Sequence, residues 1–199
     1  MALTLRSLRL TCFSVILSVL SGCETVENTY DRVYGLWDEP VVLPCPDYRI
    51  LSDAARIVQF REGQGRDLID VNIDSRIHDL TMECITSLDK ETQLGNMGVD
   101  VKVAFNVKRG PANVTKKALL TYFVSVIDQK KNILYREEFL MSGRFAGNQS
   151  AMYFFGETIK LELPLTRKIS SRDYIIYVGF LLNREQLIYN QRSKTQRGL

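Results

Sequence analysis

The stretch "VDVKVAFNVK", residues 99–108, decides the fold. Val99, Val101, Val103, Phe105 and Val107 share one parity, and Lys102 and Asn106 fall on the other. Apolar residues repeating every second position line one face of a β-strand and leave the opposite face wet. A helix would spread the same five residues around its circumference. The same signal recurs on both sides. Upstream, in "DVNIDSRI" (70–77), Val71, Ile73 and Ile77 alternate with Asp70, Asn72 and Asp74. Before that, Ile57, Val58 and Phe60 form a short strand closed by the turn Glu62-Gly63-Gln64-Gly65.

Downstream, Leu119 to Ile127 is nearly all apolar, as suits a central strand. Asp128 to Asn132 reads as a turn, and Ile133 to Phe139 as its hairpin partner. Ile159, Leu161 and Leu163 alternate with Lys160 and Glu162 ahead of Pro164, and Tyr174 to Leu182 closes the set. About seven strands separated by polar turns predict an all-β domain, an antiparallel β-sandwich over residues 45–192. It resembles immunoglobulin and fibronectin type III domains in strand count only. Antibody-type domains place a tryptophan between two inter-sheet cysteines, whereas Trp37 precedes both candidate cysteines here. A short C-terminal helix is expected from Arg184 to about Gln191. Asn183 caps it with Gln186 three residues on, and Leu182 staples against Leu187. A basic tail, 193–199, follows.

The amino terminus carries a different message. Arg6 and Arg9 precede an apolar run, Leu10 to Leu20, too short for a membrane-spanning helix of about 20 residues. That length fits the h-region of a secretory signal peptide. Leu20-Ser21-Gly22-Cys23 resembles the lipobox of bacterial lipoproteins, in which the cysteine is acylated and becomes the first residue. The resemblance implies a signal peptide at 1–22, a palmitate-type lipid anchor on Cys23, and, from Glu24, delivery to the outer membrane facing the periplasm. The alternative is an ordinary signal peptide with a chance cysteine.

Removing Arg6 and Arg9 with the leader leaves 24 basic side chains against 23 acidic ones, a nearly neutral chain. No basic stripe marks a nucleic-acid binder. Cys12 leaves with the leader and Cys23 is lipidated, so Cys45 and Cys84 remain as a pair in an oxidising compartment, which predicts a disulfide. Two thiols and a single histidine do not make a zinc site, and no metal or cofactor is expected.

Residues 23–44 read as a tether. Val26, Tyr30, Val33, Tyr34 and Trp37 fall on one stripe of a short amphipathic helix, placed against the membrane, a partner or the chain's own domain. Pro40, Pro44 and Pro46 end it. Other motifs dissolve on inspection. "DVNIDS" has calcium-loop spacing, but Ser75 and Thr81 stand where glycine and glutamate are needed. "GQGRDL" lacks the helix that a phosphate loop requires. His78, turned outward by strand parity, has no identifiable nucleophile beside it. Asn113-Val-Thr115 and Asn148-Gln-Ser150 match glycosylation acceptors, which a bacterial export pathway leaves unused.

The run Met152-Tyr153-Phe154-Phe155 shows no alternation of polarity. It either supplies core to a strand or forms an apolar contact patch at the end of the sandwich. The segments "DAARIVQF", "GRDLIDV", "RGPA", "YFVSVID" and "GFLLNREQLIYN" resemble a family of small alphaproteobacterial lipoproteins. That resemblance implies a periplasm-facing lipoprotein and transfers no site residues. The expectation is a non-catalytic scaffold or assembly component at the outer membrane. It is held by lipid and contacts an envelope protein through Tyr30, Tyr34, Trp37, Tyr153, Phe154 or Phe155. The alternative is a binding module for an envelope ligand, lipid or peptidoglycan.

Overall fold

In the computed structural model, residues 42–196 are described, with side chains to Ser193. The expected leader, the expected lipidation site at Cys23 and the stripe of Tyr30, Tyr34 and Trp37 lie outside the described residues. So does the end of the basic tail.

The stretch 99–108 is the middle of a long strand, β4 (Gly95–Arg109), counting strands in chain order. Val99, Val101, Val103, Phe105 and Val107 are all fully buried, as their alternation requires. The other strands are β1 (Asp47–Ile50), β2 (Arg56–Phe60), β3 (Val71–Leu88), β5 (Lys117–Asp128), β6 (Ile133–Arg144), β7 (Ala151–Phe155), β8 (Ile159–Leu165) and β9 (Tyr174–Phe180); one helix, α1 (Arg184–Gln196), follows. Among the described residues no helix is long and apolar enough to cross a membrane.

Two sheets form the β-sandwich. One has the order β1-β9-β5-β6; in the other, β2-β3-β4 continues to β7 and β8, which both pair with β4. All pairings are antiparallel except β1 with β9. The core between them is aliphatic with an aromatic centre: the Phe105 and Tyr122 rings lie 4.9 Å apart, and Phe180 lies 5.6 Å from Phe105. At such distances, tilted and edge-on rings attract through their quadrupoles as well as by burial.

Nine strands replace the expected seven, because β1 and β7 are added, and a third strand, β3, runs further than expected. β1 adds in parallel as a mostly exposed edge strand of four residues, too short for the alternation of Tyr48 and Ile50 with Asp47 and Arg49 to stand out. β7 is the aromatic run itself. β3 does not end at Ile77 but continues to Leu88, because a bulge between Ile77 and Asp79 shifts the parity. Beyond it Leu80 is buried, and Met82, Cys84 and Leu88 pack on the core. An inserted residue that resets the alternation looks, in sequence, like the end of a strand. Pro164 sits inside β8, whose only partner among the described residues is β4; proline is tolerated on such an edge. The disulfide Cys45–Cys84 is present, with Cα atoms 5.7 Å apart.

The helix begins as its cap predicts. The Asn183 backbone N–H donates to Gln186 Oε1, and the Gln186 N–H donates to Asn183 Oδ1, each at 2.9 Å. It runs five residues past the expected Gln191, to Gln196.

Candidate functional site

Register places β7 and β8 end to end along the same edge of β4. β7 pairs with Ala104–Lys108 and β8 with Gly95–Val101. Gly156, in the break between them, passes so close to the core that a Cβ there would lie 2.5 Å from the Tyr122 hydroxyl. Pairing with β4 gives β7 the pleat that its composition hides. Met152 and Phe154 turn inward and pack against the core. Tyr153 and Phe155 turn outward and are 66% and 59% exposed. Of the three predicted contact residues in this run, Phe154 therefore belongs to the packing and the other two to the surface.

The outward pair has company. The His78 and Tyr153 rings meet edge to face, 5.5 Å between centroids, and the Lys102 ammonium lies 5.5 Å from the centre of the Phe155 ring. Both contacts are of the kind that orients an exposed aromatic without burying it. His78 is exposed, as parity predicted. The hollow beside it is lined by Asp74, Arg76, Ile77, Asn106 and Lys108, with no serine or cysteine. Asp74, the only carboxylate there, accepts two hydrogen bonds from Arg56, at 2.8 and 2.7 Å. Those bonds hold the Arg56 pKa above its ordinary value. Among the described residues, no three His, Cys, Asp or Glu side chains are grouped so as to hold a metal ion.

A second concavity lies between α1 and the outer face of β2 and β3. Asn190, on α1, donates from Nδ2 to the carbonyls of Asp53 (3.0 Å) and Arg56 (2.6 Å). Tyr189 meets Phe60 edge-on at 5.5 Å, and Arg66 reaches across to Glu185 at 3.2 Å. They border a groove of about 680 Å³, whose lining includes Gln59, Gln64, Asn72, Gln186, Tyr189 and Arg192. That is within the size range of ligand pockets, and its wall is rich in amides. No motif announces it, because its residues come from a turn, two strands and a helix far apart in sequence.

No protein-family model matches this chain, and no curated protein or solved structure does either.

Proposed function

We propose that the chain is a lipid-anchored, non-catalytic outer-membrane lipoprotein, facing the periplasm and acting as an assembly or scaffold component through protein contacts. Cys23 carries the lipid; the sandwich presents the contact surface. The observation that supports a contact role is the orientation of Tyr153 and Phe155. Two large aromatics stand on an outer sheet face while their neighbours, Met152 and Phe154, turn inward and pack against the core. Aromatic side chains concentrate binding energy at protein interfaces, and here neither ring is part of the core.

Two experiments test the two halves. Replacing Cys23 with Ala should abolish lipoprotein-type processing and release the protein from the membrane fraction; unchanged mature mass and fractionation would refute the anchor. In membrane pull-downs, Tyr153→Ser with Phe155→Ser should lose the envelope partner while keeping the melting temperature. Phe154→Ser should instead destabilise the domain, by about 2–4 kcal/mol for a large-to-small change in partly buried packing. A protein that is always recovered alone would end the scaffold reading.

The amide-rich groove beneath α1 favours a second reading, a binding module for an envelope ligand. Planar amides, Tyr189 and the Arg192 guanidinium suit the hydroxyls and ring faces of a glycan such as peptidoglycan better than an acyl chain. Saturable binding of soluble peptidoglycan fragments, lost in Gln186→Ala, would move this reading ahead.

A further inference from the structure

Three loops meet at one end of the sandwich: 61–70 between β2 and β3, 110–116 between β4 and β5, and 145–150 between β6 and β7. Backbone hydrogen bonds join them. The Ala112 N–H donates to Val71 O at 3.0 Å, and the Phe145 N–H to Lys116 O at 2.8 Å. Two buried polar side chains hold the first two loops in shape. The Asp70 carboxylate, 3% exposed, accepts from the Asp67 N–H and pairs with Arg61 at 2.6 Å. Asn113, 5% exposed, accepts from the Lys116 N–H and donates to Lys117 O, each at 2.8 Å. What these fixed loops display is apolar. Val114 is 86% exposed, more than any other large hydrophobic among the described residues, and Leu68 and Ile69 are 80% and 69% exposed.

The charge around them is one-sided. Of the chain's 26 basic and 23 acidic side chains, residues 61–70, 109–117 and 144–150 hold six and three, which leaves 20 of each elsewhere. The whole net positive charge therefore sits at this end. Arg61 and Arg66 are paired, with Asp70 and Glu185. Arg109, Lys116, Lys117 and Arg144 have no ion-pair partner among the described residues. Lys117 and Arg144 stand directly opposite each other across β5 and β6, an arrangement that repels and that an external anion relieves.

An exposed aliphatic side chain standing singly needs no explanation; three on adjoining loops inside a basic rim do. A protein interface favours Tyr, Trp and Arg as anchors over Leu and Val. Aliphatic side chains that enter hydrocarbon while basic ones meet headgroups make an interfacial membrane contact. We propose that this end of the sandwich docks on a membrane surface containing anionic lipid. Leu68, Ile69 and Val114 insert among the acyl chains, and Lys117 and Arg144 lie against the headgroups. The docking rests neither on a lipid at Cys23 nor on the Tyr153 and Phe155 face, and each of the three can fail alone.

The test uses the full chain, with its one tryptophan, Trp37, changed to Phe so that a new one reports on a single position. Leu68→Trp and Val114→Trp are compared with Leu94→Trp, which lies in the turn joining β3 to β4 at the other end and is 53% exposed. Each is mixed with vesicles of phosphatidylcholine, with or without phosphatidylglycerol, brominated along the acyl chains. Any anchorage through the amino terminus is common to all three variants, and only an inserted loop carries its tryptophan into hydrocarbon. The expected result is blue-shifted, bromine-quenched emission at positions 68 and 114 on phosphatidylglycerol vesicles, with no change at 94. Lys117→Gln with Arg144→Gln should lower the inserted-to-free ratio about fivefold for each charge removed. Unquenched emission at both loop positions on anionic vesicles would overturn the proposal and return the loops to a protein partner. Equal quenching on phosphatidylcholine alone would overturn the role of the charges, and equal quenching at position 94 would overturn the choice of this end.

Discussion

Tyr122 is 1% exposed, in the centre of the sandwich. Burial, and secondarily the charge of Glu157, push its phenol up to about 12. Tyr135 is also raised to about 12, by desolvation and by its hydrogen bond to Glu137. A raised phenol pKa means that the folded state keeps a proton which the unfolded chain releases near pH 10. Stability is therefore complete below about pH 10 and falls as pH rises towards 12. For Tyr122 the loss reaches at most about 3 kcal/mol, since each tenfold change in proton affinity is worth about 1.4 kcal/mol. Tyr122→Phe should unfold less steeply between pH 10 and 12 in denaturant titrations; an unaltered slope would show that its phenol does not govern alkaline unfolding. At this scale the sequence was informative wherever polarity alternates. All five inward residues of 99–107 are in the core. It was uninformative for Phe154 and Phe155, adjacent residues of the same type, because only the pairing of β7 with β4 decides which one faces water.

The helix separates into a legible part and a hidden one. Its start was written in Asn183 and Gln186, since a reciprocal cap is a local device. Its docking was not, because Asn190 bonds to carbonyls of residues 53 and 56, more than 130 positions away in sequence. The bulge beyond Ile77 and the parallel edge strand β1 were hidden for the same reason: both are defined by the neighbouring strand. The hollow at Asn106 follows suit as a product of strand register, and the groove beneath α1 as a product of the helix's docking. Asn190 is 5% exposed, and two backbone acceptors depend on it. Asn190→Ala should therefore cost roughly 1–3 kcal/mol, the penalty of leaving buried acceptors unpaired. Denaturant unfolding measures the cost. A change below about 0.5 kcal/mol, the usual range for surface substitutions, would mean that the other contacts, Tyr189 on Phe60 and Arg66 with Glu185, hold α1 in place.

Across the whole sandwich, the weak line is the edge where β1 and β3 end their sheets. β2 covers β3 only from Val71 to Arg76, so the half from Asp79 to Leu88 has a strand on one side only among the described residues. A long uncovered edge invites pairing with another chain. The disulfide acts at this place. Cys45 lies two residues before the start of β1 in one sheet, and Cys84 lies midway along the half of β3 with a strand on one side only in the other, so the bond fastens the two sheets along their open side. Leu43 packs on the core beside it. The closed loop spans 39 positions, which corresponds to about 4 kcal/mol in the chain-entropy account and about 10 °C of melting temperature for a domain of this size. The double variant Cys45→Ser, Cys84→Ser should lose that much stability. It should also scatter more light at high concentration, as the freed entry segment lets the sheets part along the β3 edge, which already lacks a strand on one side. A lowered melting temperature without association would leave the bond a pure staple. A melting temperature unchanged under non-reducing conditions would mean that the sheets are held by their core alone.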